Sequence, residues 1–271
     1  MTTRLFTFNL LLAFTISLFA YCSTAEAGTL TMTTETTVKT LNDVVLVDVR
    51  VWNQGNVAAH DVQVNVAMLG QRMKSPTKPK VRANSSEVVH FEKAVSGILK
   101  GTYPLAVIVD FHDDNNHPFS AISGTTFSYK EKVVPKLLGR VEGVSLRERG
   151  ELEVKIKNLG LESKNIRATV VGPREISTSK RKLNLEIEPR GDKTIMFEVV
   201  NRSAMPGATY PVFCYLEYDF QDTHYTAVAK GVVKVAAEVN WFRQSFWVWV
   251  ALAVLCGVVL LLCQLKREGR P

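Results

Sequence analysis

"VWNQGNVAAHDVQVNV", residues 51–66, is followed about a hundred positions later by "IKNLGLESKNIRATVV", residues 156–171. Each stretch ends an alternating strand in Asn-x-Gly, crosses a short polar gap and begins a second alternating strand. Other landmarks repeat too. Asn53 and Gly55 return as Asn158 and Gly160, 105 residues on; Phe91-Glu92 returns as Phe197-Glu198 after 106. Thr102-Tyr103-Pro104 returns as Thr209-Tyr210-Pro211 after 107. An offset that drifts by so little marks an internal duplication.

Both copies read as strands. Val45, Val47, Val49 and Val51 alternate with Asp48, Arg50 and Trp52, and Leu152, Val154 and Ile156 alternate with Glu153, Lys155 and Lys157. The next strand carries Val62, Val64 and Val66 in one copy and Ile166, Ala168 and Val170 in the other. A period of two with one polar face signals half-buried antiparallel strands. No sustained helical period interrupts them. Short strands at turn-separated intervals, about a hundred residues per copy, predict an all-β chain of two tandem immunoglobulin-like β-sandwiches. The expected units are 28–132 and 133–240.

The Asn-x-Gly element then reads as an arch between the two sheets of a sandwich. Gly55 and Gly160 are expected to take positive φ there, with the Asn side chains bonding backbone groups freed by the bend. Tyr103 and Tyr210, each just before a proline, are expected to tie a strand to a nearby loop through the hydroxyl, much like a tyrosine corner.

The chain ends supply an address. Residues 1–27 fit a secretory signal: Arg4, an apolar core at 10–21, and the small-x-small Ala25-Glu26-Ala27. Cys22 follows Tyr21, which is too large for the usual lipidation pattern. Residues 246–263, FWVWVALAVLCGVVLLLC, run 18 positions without a charge, about 27 Å of helix. A transmembrane helix is therefore expected over 244–265, with a basic cytosolic tail at 266–271. Lys266, Arg267 and Arg270 orient it by the positive-inside rule, and Trp241, Trp247 and Trp249 form an aromatic belt outside. The expected protein is single-pass in the cell membrane, its bulk extracytoplasmic, its first partner the lipid bilayer.

The formal net charge is +7, with a dense stretch at Lys180-Arg181-Lys182. The default reading is a solvated strand face or loop, with attraction to an anionic lipid or envelope polymer as the alternative. An exported chain sets nucleic acid aside as a partner. Of four cysteines only Cys214 falls between signal and span, so no intrachain disulfide is expected there. Its alignment with Val107, on the inward face between Val212 and Leu216, reads as a small buried hydrophobe.

The strand, Asn-x-Gly, the gap, "DVQVNV" and the later "GTYP" resemble the CARDB-type immunoglobulin-like modules of bacterial and archaeal surface proteins. The overall plan is similar to that of WxL-interacting envelope proteins. The resemblance covers both copies, roughly residues 29–236. It implies adhesion or scaffold work without a catalytic residue, so it transfers no site.

The most polar spots are "DFHDDNNHP", 110–118, and "EYDFQDTHY", 217–225, both expected as hairpin tips. Asp113, Asp114 and His117, with His112 and Asn115, offer oxygen and nitrogen ligands for calcium. They lack EF-hand spacing and are ordinary turn residues, so no metal or cofactor is expected. His117 and His224 align between the copies. Arg190-Gly191-Asp192 spells an integrin tripeptide but sits where a turn is needed and Gly supplies it. Asn84-Ser85-Ser86 and Asn201-Arg202-Ser203 are formal glycosylation acceptors. No nucleophile elbow, His-Glu-x-x-His or phosphate loop is present, and an enzyme is not expected.

The expected function is thus non-catalytic: a membrane-anchored pair of modules that binds or scaffolds another envelope protein or a cell-wall polymer. A duplicated sandwich suggests no concave site, so binding is expected at loops or exposed sheet edges. The alternative is an accessory subunit of a membrane enzyme or transporter, packing its span through Ala253 and Gly257.

Overall fold

The computed structural model describes residues 28–237, together with Ser245, Val248, Trp249, Ala251, Leu252 and Leu255. The expected signal, most of the expected span and the basic tail lie outside the described residues. Among the described residues no helix is long and apolar enough to cross a membrane.

Residues 28–237 are all-β. The first half holds β1 (Met32–Leu41), β2 (Val44–Asn53), β3 (Ala59–Met68), β4 (Gln71–Lys74), β5 (Lys78–Val81), β6 (Ser85–Ala94), β7 (Lys100–His112) and β8 (Pro118–Tyr129). The second holds β9 (Leu137–Val141), β10 (Val144–Leu146), β11 (Arg149–Asn158), β12 (Lys164–Val171) and β13 (Ile176–Thr178). It ends with β14 (Lys182–Ile187), β15 (Asp192–Asn201), β16 (Thr209–Phe220) and β17 (Thr223–Val235).

The duplication is visible in the strand order. One sheet of the first half runs β1-β2-β6; its counterpart in the second runs β9-β11-β15-β13. The facing sheets, β8-β7-β3 with β4 and β5, and β17-β16-β12-β14, also correspond. These two join where β17 runs parallel to β7 at Thr223–Lys100 and His224–Gly101, making one ten-stranded sheet. Each pair of sheets encloses its own apolar cluster, one drawn from residues 32–129 and the other from 137–235.

Alternation explains the burial. Val45, Val47, Val49 and Val51 are buried while Trp52 stays 47% exposed, and Leu152, Val154 and Ile156 are buried likewise. Inward positions therefore fill the cores, and the outward residues of the β2 and β11 sheets meet water.

The Asn-x-Gly arches are real, but their glycines serve a different purpose from the one expected. Asn53 and Asn158 are both fully buried. Asn158 Nδ2 donates to Glu162 O at 2.7 Å and Glu188 O at 3.0 Å, and its Oδ1 accepts from Gly160 N at 2.9 Å. Asn53 Nδ2 donates to Val57 O at 2.8 Å and Val81 O at 3.3 Å, while Gly55 N returns the bond to Oδ1 at 3.0 Å. Neither Gly55 nor Gly160 has a positive φ. Gly55 is needed for close approach: a β-carbon there would lie 2.1 Å from Thr29 O.

Two-residue hairpins carry positive φ instead, at Asn42-Asp43, Leu69-Gly70 and Gln221-Asp222. Paired left-handed residues match the twist of the flanking strands, and Asn and Asp tolerate that conformation well. Both tyrosine ties form as expected. Tyr103 Oη donates to Leu99 O at 2.6 Å, and Tyr210 Oη accepts from Met205 N at 3.0 Å.

Candidate binding cleft between the sandwiches

The expectation of a molecule without a concave site fails. The two halves of the ten-stranded sheet turn their outward faces toward one another and enclose a cleft of about 810 Å³. The first wall carries Arg72, Ala67 and Ala106 in a cross-strand row, with Ile108 in the next row. The second wall carries Lys182, Thr169 and Tyr215 in one row, and Arg167 beside Glu217 in the next. At the vertex Phe213 and Tyr215 pack on Ala106, Ile108 and Ile122. Gly124 makes room for them, since a β-carbon there would lie 2.6 Å from the Phe213 ring.

Polar ties fix the angle between the walls. Tyr215 Oη donates to Leu105 O at 2.7 Å, and Thr226 Oγ1 donates to Thr102 O at 2.8 Å. Both carboxylate oxygens of Glu175, on the loop before β13, accept from Ser120 of β8. The donors are its backbone N–H and its hydroxyl, each at 2.6 Å. Glu175 is only 2% exposed, so its charge is held by charge-assisted bonds rather than by water.

His224 closes the other end. Its ring stacks on Tyr103 of the first half, with centroids 4.2 Å apart and planes 11° apart. Its Nδ1 lies 2.6 Å from Asp219 Oδ1 and its Nε2 3.5 Å from Glu217 Oε1. Burial alone pulls the imidazole pKa down, but the bonds and charges of the two carboxylates outweigh it and raise the pKa. Below it Gly101, at φ 137°, presses its backbone on the His224 carbonyl, leaving no space for a side chain.

His224 is where sequence alignment misled. Five residues, 113–117, separate β7 from β8, but only Gln221 and Asp222 separate β16 from β17. The ladders therefore match His224 with Pro118, since Asp219 pairs with His224 as His112 pairs with Pro118. His117 sits at an exposed tip while His224 is 9% exposed at the junction. Glu217, Asp219 and Tyr225, expected at a tip, stand on strands.

Of the metal candidates, Asp113 and His117 are brought together, with His117 Nδ1 3.3 Å from Asp113 Oδ2, while Asp114 turns away. Asp113 Oδ1 accepts from Asn115 N at 2.9 Å and His117 N at 2.8 Å, which shapes the turn. Those bonds, the one from His117 N foremost, hold the Asp113 pKa below its usual value. Asp114 turns to His60 Nε2 on β3, 2.8 Å away. Among the described residues no group of three His, Cys, Asp or Glu side chains is placed to hold a metal ion.

Cys214 is fully buried, and burial pushes its thiol up to about 12, so it behaves as a hydrophobe and not a nucleophile. In the Arg190-Gly191-Asp192 stretch a turn forms as expected, with the positive φ at Arg190. That turn serves the arch, for Arg190 N donates to Gly160 O and Asn158 N to Gly191 O. Asn84 is exposed, whereas the Asn201 amide is bonded to Arg147 O and Ala204 O. Ala253 and Gly257 lie outside the described residues.

The rim of the cleft is basic. Arg72, Arg167, Arg174, Arg181 and Lys182 all line it, against the acids Asp110 and Glu217. None of these five cations has an ion pair or a side-chain hydrogen bond among the described residues. Arg181 and Lys182 belong to the basic stretch seen in the sequence, which folds onto the rim.

No family model matches the chain, and no curated protein matches it. Solved structures resemble it distantly. Red sea bream transglutaminase is 16% identical with a TM-score of 0.28, covering 76% of this chain and 31% of that one. Native Escherichia coli α2-macroglobulin is 11% identical with a TM-score of 0.32, covering 77% of this chain and 17% of that one. A Porphyromonas gingivalis W83 protein of unknown function is 12% identical with a TM-score of 0.30, covering 76% of this chain and 99% of that one. The chain thus spans under a third of the first two. Likenesses of this depth carry no functional argument, and the CARDB-type reading rests on the sequence alone.

Proposed function

We propose that this chain is a non-catalytic, membrane-anchored envelope protein whose paired immunoglobulin-like sandwiches hold another envelope component in the cleft between them. The observation that carries the reading is the cleft itself, about 810 Å³, tied at both ends by bonds between the halves. A recess of that size with an apolar floor and a few polar groups is what a binding site requires. The buried Cys214 and the turn-bound Asp113 leave two reactive candidates of the sequence committed to structure. The signal-like start and apolar C-terminal stretch support an extracytoplasmic module tethered by one span. The plan resembles that of WxL-interacting envelope proteins, and the two copies resemble CARDB-type modules.

Photo-crosslinking in intact cells tests this reading. A crosslinker at Gln71 or Ser177, beside the cleft, should capture a discrete envelope partner that one at Glu35, on the outer sheet, does not. Equal capture from both faces, or none from either, refutes the cleft as the binding site.

A further inference from the structure

Resting on that reading, we propose that the cleft takes an extended peptide segment of a partner protein that alternates acidic and apolar side chains. Charge gives the first argument. Five cations without partners line one recess that offers only two acids in return. Unpaired like charges drawn together repel one another, and an anionic ligand relieves that repulsion. Four of the five are arginines, whose planar fork matches carboxylates bidentately where a lysine offers a point charge.

The floor separates a peptide from a plain polyanion. Among the cations the apolar lining that stays half-buried, and so open to a ligand, is Ala67, Leu69, Ile98 and Val171, which form the floor. A phosphate polymer has nothing to place there, whereas a strand with every second side chain apolar has. One face of such a strand meets the floor and the other turns its carboxylates to the rim.

Backbone geometry gives the third argument. The rim strands are sheet edges: among the described residues β4 bonds only to β3, and β14 only to β12. Each has one edge without a strand partner among the described residues, and that edge reaches the cleft at Gln71 and Arg72 of β4 and at Lys182 of β14. An extended peptide can add to such an edge, gaining affinity from its backbone while its side chains set specificity. Thr169 Oγ1, which lines the second wall and is shielded from solvent, has no partner among the described residues and offers one more polar contact.

The test uses the full chain in detergent and a fluorescein-labelled peptide of alternating Glu and Val, followed by fluorescence anisotropy. The peptide should bind, and binding should weaken as salt rises. Exchanging Arg72, Arg174, Arg181 and Lys182 for Gln should cost about thirtyfold in affinity, at about twofold to threefold per exposed ion pair. Exchanging Lys39, Arg140, Arg147 and Lys230, which do not line the cleft, should leave it within about twofold. A Glu-Ser peptide of equal charge should bind more weakly. The proposal is overturned if the Glu-Val peptide does not bind, if the cleft variant binds as well as wild type, or if inorganic polyphosphate binds tighter than both peptides. Should crosslinking from Gln71 capture a partner while these peptides fail, the cleft is the binding site but its ligand is of another class. Should crosslinking fail too, the binding reading falls with it.

Discussion

Replacing Asn158 by alanine should destabilise the second half far beyond an ordinary surface change. Three hydrogen bonds at 3.0 Å or less are lost, two to carbonyls and one from an amide, around a fully buried side chain. At about 1 kcal/mol each, with an added penalty for buried groups left unpaired, Asn158→Ala should cost about 3–5 kcal/mol. Asn53→Ala should cost somewhat less, because one of its donor bonds is already long at 3.3 Å. Hydrogen exchange on the full chain in detergent localises the loss. Asn158→Ala should deprotect the β11 and β15 amides, and Asn53→Ala those of β2 and β6. Asn158→Asp supplies a sharper control. Its carboxylate still accepts from Gly160 N but turns negative oxygen toward two carbonyls in a buried site, which raises the folded pKa above the unfolded value of about 3.9. Protonation restores a donor, so this variant should regain stability as pH falls and lose it as pH rises through the folded pKa. A cost below about 1 kcal/mol for Asn158→Ala, or a pH-independent deficit for Asn158→Asp, refutes the assignment of the amide as the tie that holds the arch.

His224 makes the junction pH-sensitive in one direction. Its raised folded pKa means the stabilisation is complete below the unfolded value of about 6.5 and fades as pH rises through the folded value. Urea midpoints should therefore fall on alkalinisation from mildly acidic pH, and His224→Gln should flatten that slope; an unchanged slope assigns it elsewhere. Ser120→Ala removes one of the two bonds to buried Glu175 and the bond its hydroxyl accepts from Arg174 N, and should cost about 2–4 kcal/mol, read from denaturant melts. A double cycle with Glu175→Gln should show coupling between them, and additive effects would mean the bond contributes nothing. Gly55→Ala should unfold the first half readily, because its β-carbon meets backbone at 2.1 Å. Gly160→Ala should cost clearly less, about 1–2 kcal/mol, since Asn158 Oδ1 at 3.1 Å and Lys164 Cε at 3.2 Å need give only a few tenths of an ångström, though the bonded Asn158 amide resists even that. Comparable melting losses for the two variants would contradict this.

The sandwiches are legible in the sequence because each β2-type sheet has one wet face. That forces Val45 to Val51 and Leu152 to Ile156 into strict alternation, and alternation is a local signal. The cleft is not local. Its ties join Ser120 to Glu175 and Thr102 to Thr226 across the halves, and nothing near a polar residue in the sequence names a partner so distant. One signal was available. Residues 105–109, LAVIV, and 212–216, VFCYL, are apolar on both faces, which a strand with one wet side does not need. Reading Cys214 as inward between Val212 and Leu216 leaves Phe213 and Tyr215 facing outward, two aromatics that require a cover. The positive-φ glycines expected at the arches fail for a different reason. Asn-Gly spacing signals a tight bend, but it does not distinguish a backbone conformation from a backbone approach.

The duplication itself explains how two similar modules came to form an asymmetric site. At inward positions the copies stayed alike: Leu105 matches Val212, Val107 matches Cys214, and all are buried. At outward positions of the same strands they diverged. Ala106 stands where the second copy has Phe213, and Ile108 where it has Tyr215. Gly124 opposes Ala106 as Lys230 opposes Phe213. Core packing constrains the first set, because a sandwich needs its volume filled whatever lies outside. The second set is free of that constraint, and the copies differ there, with Ala106 and Ile108 in one and Phe213 and Tyr215 in the other. Only then does one face accept the other at an angle, with glycine and alanine receiving the aromatics at the vertex and cations left along the rim. Were Phe and Tyr present at the Ala106 and Ile108 positions too, two aromatic pairs would meet at the vertex and no junction this close could form. The cleft thus depends on the difference between the copies at these positions and needs both of them in one chain.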